Sequence, residues 1–307
     1  MPAGVLVVGT VAFDVIETPW ESARGVLGGS ATYVTLAARL SGEPVGLVAV
    51  VGRDFTEAHM AVLSTRGVDL AGLQVDHSGK TFAWGGRYTA DPNHRTTLFT
   101  ELNVLAAFTP RVPDSFLNSR IVCLGNLDPR IQLSVMEEVL NPDLTVCDTM
   151  NYWIANASAS LRRVLQRVDC LVINDEEARQ IAGHHNLISA ARDIRAMGPR
   201  ILVIKKGEHG AIMFTGESVF VTPAFPVSRV KDPTGAGDSF LGGFCGQLAC
   251  ERTISDAALR RAVLRGTVMA SFAVEHLGTN GLMNLEQRDI RQRLHVLRRA
   301  VAWPAGW

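Results

Sequence analysis

Asp232-Pro233-Thr234-Gly235-Ala236-Gly237-Asp238-Ser239-Phe240 runs on into Leu241-Gly242-Gly243-Phe244. Two glycines and an alanine open a stretch that reads as a helix over 236–250. With no bulky side chains there, the main-chain N–H groups of Gly235, Ala236 and Gly237 can point at an anion, and the helix start adds partial positive charge. Such a turn suits a phosphoryl group. Asp238 lies inside it, where a carboxylate can accept the proton of a hydroxyl held beside that group. An ordinary pKa near ~4 is no obstacle to this. In a loose transition state the hydroxyl loses its proton late, so alignment outweighs basicity. The plain alternative is a glycine-rich loop-to-helix junction with Asp238 as an exposed N-terminal charge. Ser239 does not read as a hydrolase nucleophile, because no G-x-S-x-G elbow surrounds it.

Upstream of this turn the chain alternates two periods. Short apolar runs at 5–8, 47–51, 121–124, 144–147, 170–173 and 201–204 read as buried strands. Helix-like segments at 30–40, 131–140, 157–166 and 176–197 lie between them, and 255–276 and 286–300 follow. Strands of this kind alternating with helices predict an α/β chain, a mostly parallel sheet covered on both faces. Ligands of such sheets bind beyond the carboxyl ends of the strands. Residues 81–108 break the rhythm with polar–apolar alternation around the turn signal Asp91-Pro92-Asn93, which predicts an antiparallel hairpin. One domain, 1–307, with a small β lid over one sheet edge is expected.

Lys+Arg 30 cancels Asp+Glu 30, so the chain carries no net field to attract nucleic acid or an anionic membrane. Hydrophobic residues at 47% and charged residues at 20% are an ordinary globular balance. No apolar run approaches the ~18–20 residues of a membrane span. Met1-Pro2-Ala3-Gly4 leads straight into a strand-like run without a basic segment, so no signal peptide is expected and a cytoplasmic protein is. Cys123, Cys147, Cys170, Cys245 and Cys250 form no C-x-x-C pair and read as buried, reduced thiols. His184-His185 reads as a surface turn rather than a metal site.

The nine residues from Asp232 resemble the signature of the ribokinase-like (PfkB) carbohydrate kinases, and the resemblance extends along the chain. Asp14 in GTVAFD stands where that family binds substrate hydroxyls. Gly28-Gly29 in LGGSATY match its substrate-facing glycine pair, and Val51-Gly52-Arg53-Asp54-Phe55 matches its V-G-x-D-x stretch. Asn174 and Glu177 in NDEEA match its N-x-x-E motif, which orders Mg²⁺ and its waters. Lys206-Gly207-Glu208-His209-Gly210 matches its G-x-x-G loop beside the nucleotide, where Lys206, Gly207, Gly210 and Thr234 would border ATP. The resemblance implies a three-layer fold, a lid formed mainly by 81–108 with part of 10–27, ATP as donor with Mg²⁺, and a small-molecule acceptor. In some members a residue placed like Asp232 helps bind a monovalent cation such as K⁺; otherwise it is a turn aspartate. In some members the lids pair across a dimer, so the resemblance also allows a homodimer.

Individual residues keep two readings. Asn174 and Glu177 have the spacing of a capping box as well as that of a magnesium motif. Asn126, Asp128, Asp148 and Asn151 follow strands at the binding edge and could bind substrate or serve as turns and caps. Lys205 and Lys206 are adjacent, so only one of them can point at the site if the strand persists, and Lys206, nearer the loop, is favoured. Trp84, Arg87 and Tyr88 lie on the flap, where aromatic rings cover a ligand or pack across strands. Tyr33 stands where the family usually carries a substrate-contacting asparagine, a departure that permits a ring-bearing acceptor. Thr56 stands where a glycine often follows. The expected reaction is transfer of the γ-phosphoryl group to a sugar hydroxyl. A nucleoside kinase of the same fold is the alternative, and a silent nucleotide-binding regulator is a third reading.

Overall fold

Uninterrupted apolar quartets suit strands buried on both faces, and Val5-Leu6-Val7-Val8 becomes β1 (Val5–Val8), buried throughout. The computed structural model describes residues 4–91 and 94–302, so residues 1–3, 92–93 and 303–307 lie outside the described residues, and with them Pro92 and Asn93 of the expected turn signal. After β1 come β2 (Ala12–Glu17), β3 (Ser22–Gly28), α1 (Ser30–Arg39), β4 (Val45–Gly52), α2 (Glu57–Ser64) and β5 (Val68–Asp76). Next are β6 (Phe82–Tyr88), β7 (Arg95–Glu101), β8 (Ile121–Leu124), α3 (Pro129–Glu138), β9 (Leu144–Cys147), α4 (Asn151–Asn156), α5 (Ser158–Leu165) and β10 (Cys170–Asn174). Then follow α6 (Asp175–Ala182), α7 (Leu187–Arg195), β11 (Ile201–Lys205), β12 (Ala211–Thr215) and β13 (Ser218–Thr222). The chain ends with α8 (Ala236–Ala249), α9 (Asp256–Ala273), α10 (Asn280–Met283) and α11 (Gln287–Ala300).

Nine strands form one sheet in the order β13-β12-β11-β10-β9-β8-β1-β4-β5. Pairing is parallel from β11 to β5, and β12 runs antiparallel to both its neighbours. Strand alternation divides the core in two. Val5, Val7, Ile201 and Val203 pack with apolar residues of α1, α8 and α9, whereas Leu6, Val8, Leu202 and Ile204 pack with those of α3, α5, α6 and α7. This is the expected α/β sandwich of three layers.

The small second sheet has the order β3-β2-β6-β7. Its β6–β7 pair is the expected antiparallel hairpin, but β7 ends at Glu101 and a 3-10 turn, Asn103–Ala107, follows. The segment around residues 10–27 supplies half of this sheet: β2 pairs β3 antiparallel and β6 in parallel. The sequence pattern does not reveal a parallel pairing between strands so far apart. Asp54 fastens the base of β6, its Oδ1 accepting from the Thr81 N–H and hydroxyl, both at 2.7 Å.

The helix expected over 176–197 is two helices. Gly183 takes a left-handed φ of 69° that ends α6, and the Asn186 side chain caps α7 by accepting from the Ile188 and Ser189 N–H groups. The β12–β13 hairpin was not foreseen. Four cysteines are buried as expected, but Cys250 is exposed. Among the described residues no helix is long and apolar enough to cross a membrane.

Glycines let α8 lie flush between two helices. A Cβ at Gly242 would fall 2.3 Å from the Val34 carbonyl oxygen of α1, and one at Gly243 would fall 2.6 Å from Met269 Cγ of α9. These contacts hold the start of α8, with its glycine turn, in place at the edge of the sheet.

Candidate active site

The start of α8 is built as an open anion turn. Gly235 is the N-cap with a left-handed φ of 72°, and no side chain caps the helix. The Ala236 N–H turns back to the Pro233 carbonyl at 3.3 Å, and the first-turn N–H groups have no i−4 partners within the helix. Gly235 also makes room for Tyr33, because a Cβ there would sit 2.4 Å from that ring. Tyr33 is 1% exposed, packed behind the turn rather than lining an open cleft. Its hydroxyl is buried with no hydrogen-bond partner.

Carboxylates converge on this turn. Asp14, on β2, is buried, and its carboxylate lies directly over Gly28, where a Cβ would meet Oδ2 at 1.9 Å. Burial, then the charges of Asp232 and Asp238, push its pKa up to about 8, against a hydrogen bond from the Gly29 N–H. Asp238 is raised to about 7 by burial and by Asp148, with Lys205 and Arg95 opposing. Glu177 is raised to about 7 by burial and by Asp148, with Lys205 and Arg95 again opposing. Asp148 rises through burial, against Lys205.

The cation among these groups is Lys205. Its Nζ lies 3.8 Å from Asp148 Oδ1, and a Cβ at Gly237 would fall 2.9 Å from it. Burial lowers its pKa, but Asp148, Glu177 and Asp238 together outweigh burial, and the net shift is upward. The sequence favoured Lys206, but the ammonium that stands among these carboxyls is that of Lys205. Lys205 is the last residue of β11 and shares its face with Ile201 and Val203, the α8 side. Lys206 has already left the strand, with φ −130° and ψ 36°.

The remaining candidates separate into two groups. Asn174 and Glu177 do form the capping box: Asn174 Oδ1 accepts from the Glu177 N–H, and Glu177 Oε2 from the Asn174 N–H, both at 2.8 Å. The same box holds the Glu177 carboxyl, buried, beside Asp148 and Lys205. Asp232 is fully buried, its Oδ1 accepting from the Thr234 N–H and its Oδ2 from the Gly278 N–H, each at 2.8 Å. Thr234 in turn meets the phenol of Tyr88, 3.0 Å away.

Other candidates stand at the same sheet edge without joining the cluster. Asn126 is engaged by Trp153 Nε1 at 3.0 Å and by Met150 Sδ at 3.1 Å. Asn151 begins α4 and is exposed. Asp128 is a helix cap, accepting from the Arg130 N–H. Gly207 is exposed, and Gly210 is a tight turn where a Cβ would fall 2.0 Å from the Thr222 carbonyl oxygen. Thr56 caps α2. Sequence reasoning did not single out Arg95, whose charge reaches both Asp238 and Glu177. Exposed and polar, it carries no signal without the strand pairing.

Three carboxyls against one ammonium leave an excess of negative charge that a divalent cation would offset. Among the described residues no group of three or more His, Cys, Asp or Glu forms a metal cage. Mg²⁺ needs none, since it keeps several waters and binds through substrate phosphates and one or two carboxylates. The buried Thr149 hydroxyl beside Asp148 has no partner, which suits an ordered water there.

An α/β sandwich with a glycine anion turn, a carboxyl inside it and a lysine beneath it defines a phosphotransferase that acts on small molecules. The chain belongs to the pfkB family of carbohydrate kinases, whose family model matches residues 3–286. A cytidine kinase from Thermococcus kodakarensis is 29% identical over 245 residues, covering 78% of this chain and 86% of that one. The crystal structure of a nucleoside kinase from Methanocaldococcus jannaschii superposes with a TM-score of 0.78 at 20% identity, over 96% of this chain and all of that one. A chain named ribokinase II from E. coli, solved with ATP and Mg²⁺, matches with a TM-score of 0.75 at 17% identity, over 96% and 99%.

Proposed function

We propose that this kinase moves the γ-phosphoryl group of ATP onto a sugar hydroxyl of a nucleoside. The observation that carries the chemistry is Asp238 standing inside the anion turn with the Lys205 ammonium against Gly237. The acceptor hydroxyl would sit between Asp238 and the phosphoryl group. As its oxygen bonds to phosphorus, the bond from phosphorus to ADP breaks and the proton passes to Asp238. The N–H groups of residues 235–238 and Lys205 hold the growing charge. Asp14, over Gly28 and beside Gly29, binds the acceptor's other hydroxyls, and Tyr33 backs the pocket behind Gly235. Mg²⁺ would be held through water by Glu177 with Asn174 and would offset phosphate charge.

The named relatives favour a nucleoside over the simple sugar that the sequence put first. A cytidine kinase is 29% identical over 245 residues, and a nucleoside kinase shares the fold. A monovalent cation beside Asp232 is a further proposal, and both of its carboxylate oxygens already accept main-chain N–H groups. A cytoplasmic location and a homodimer paired through the small sheet stand as proposals on resemblance, the dimer to be tested by light scattering.

The deciding experiment is ADP release by the purified chain with Mg²⁺–ATP across a panel of nucleosides and sugars. The highest kcat/KM is expected on a nucleoside. A sugar that outranks every nucleoside would overturn that acceptor class. Stoichiometric ATP binding with no turnover on the whole panel would point to the silent regulator.

A further inference from the structure

Between β9 and β10 the large sheet parts before it reaches its carboxyl edge. β10 pairs with β11 as far as Asn174, but with β9 only at Cys170–Val146 and Leu171–Cys147. That ladder stops one residue short of Asp148. The Asp148 N–H still donates to the Leu124 carbonyl of β8 at 2.8 Å. Its own carbonyl is buried with the rest of the residue, and a buried carbonyl needs a donor. Gln132 of α3 supplies one. Its Nε2 donates to the Asp148 carbonyl at 3.0 Å and to the Gly125 carbonyl, just past β8, at 2.9 Å. The Cys147 thiol stands between them, 3.2 Å from the same Asp148 carbonyl and 3.7 Å from Gln132 Oε1. Gln132 is itself fully buried. Two carbonyls call for two hydrogens from one nitrogen, which an amide has and a carboxylate or an apolar chain lacks.

The glutamine and the carboxylate lie on opposite faces of the sheet. Cys147 packs in the half of the core that α3 covers, so strand alternation turns the Asp148 side chain to the α8 half. There its Oδ1 meets the Lys205 ammonium at 3.8 Å, the same ammonium that stands against Gly237 of the anion turn. We propose that Gln132 is a positioning residue: from behind the sheet its amide fixes the main chain of Asp148, and so places the carboxylate that holds Lys205 at the phosphoryl turn. The inference rests on the phosphoryl-transfer reading above. Gln132 touches neither nucleotide nor acceptor and moves no proton.

The test sets Gln132→Leu beside Leu133→Ala, the next residue on α3, whose buried side chain packs in the same half of the core. Each removes buried contacts and should lower the melting temperature. Only Gln132→Leu should lose kcat, by about tenfold or more, with KM for ATP and acceptor within about threefold of wild type. A double-mutant cycle then shows whether the effect passes through Asp148. Asp148→Asn should lower kcat on its own, and adding Gln132→Leu to it should cost less than about twofold more. Gln132→Met carries the same comparison if the leucine variant does not fold. A kcat for Gln132→Leu within about twofold of wild type, an equal loss in Leu133→Ala, or fully additive losses in the cycle would overturn the assignment. Hydrogen exchange over residues 145–151 reads the placement without any substrate. Gln132→Leu should speed it by about tenfold or more, and by more than Leu133→Ala does; equal rates count against the proposal. A wild-type chain that turns over no acceptor counts against the proposed function instead, and the exchange measurement still judges Gln132.

Discussion

The phenol oxygen of Tyr88 lies 3.0 Å from the hydroxyl of Thr234, joining the small sheet to the residue before the anion turn. Tyr88 is buried, and burial raises its pKa, so the phenol stays neutral and free to donate or accept. This bond closes the lid end of the site. Tyr88→Phe removes it and keeps the ring. A neutral hydrogen bond contributes about 1 kcal/mol, so the acceptor KM should rise about fivefold. The chemical step does not use the phenol, so kcat should change by less than about twofold. Steady-state kinetics at saturating ATP measures both, and an unchanged KM would show that the bond does not hold the lid.

Asp238→Asn keeps the shape of the turn and removes the proton acceptor. kcat should fall by about 10²-fold or more, the usual scale of base catalysis. ATP affinity by calorimetry should hold or rise, since a negative charge beside the phosphates has gone. In wild type, kcat/KM should climb with pH through the pKa of about 7 that burial and Asp148 give Asp238. That limb should be absent from the residual activity of the variant. A variant with wild-type turnover would remove Asp238 from the chemistry.

Lys205 and Lys206 part company in the same assay. Lys205→Met removes the only ammonium beside Asp148 and Glu177 among the described residues. It leaves those buried carboxylates uncompensated, so thermal stability and kcat should both drop, with kcat lower by about tenfold or more. Lys206→Met should stay within about twofold of wild type in kcat. Equal losses in the two variants would reverse the assignment made from strand parity.

That parity shows where the sequence was readable and where it was not. The apolar runs at β1, β8 and β9 have the predicted bounds, because a strand buried on both faces leaves no other period to read. The turn at 235–238 was readable because glycine there has a steric cause, the ring of Tyr33. Lys205 was misjudged by nearness to the loop, although Ile201 and Val203 share its face and pack on the α8 side. The sequence did not show that Tyr33 is buried against Gly235, a large ring that fits only where the glycine gives way. Arg95 comes near the site through a pairing of β2 with β6, and no local pattern encodes a parallel contact between strands so far apart.

The charges at the site also bear on stability. Asp14 has a folded pKa of about 8 against an ordinary 3.8, so the folded chain holds a proton that the unfolded chain has lost across that interval. Stability from this group is fully present below the lower value and is lost as pH rises through about 8. Asp14→Asn replaces the carboxyl with a group that stays neutral at every pH. The melting temperature of the ligand-free variant minus that of wild type should therefore be larger at pH 9 than at pH 6, by roughly 3 °C or more for a chain of this size. Asp238 and Glu177, raised to about 7, act in the same direction but are present in both proteins and largely cancel in the difference. A difference that stays constant between the two pH values would mean that Asp14 is ionised in the folded protein throughout, and that an unseen cation or donor already compensates it.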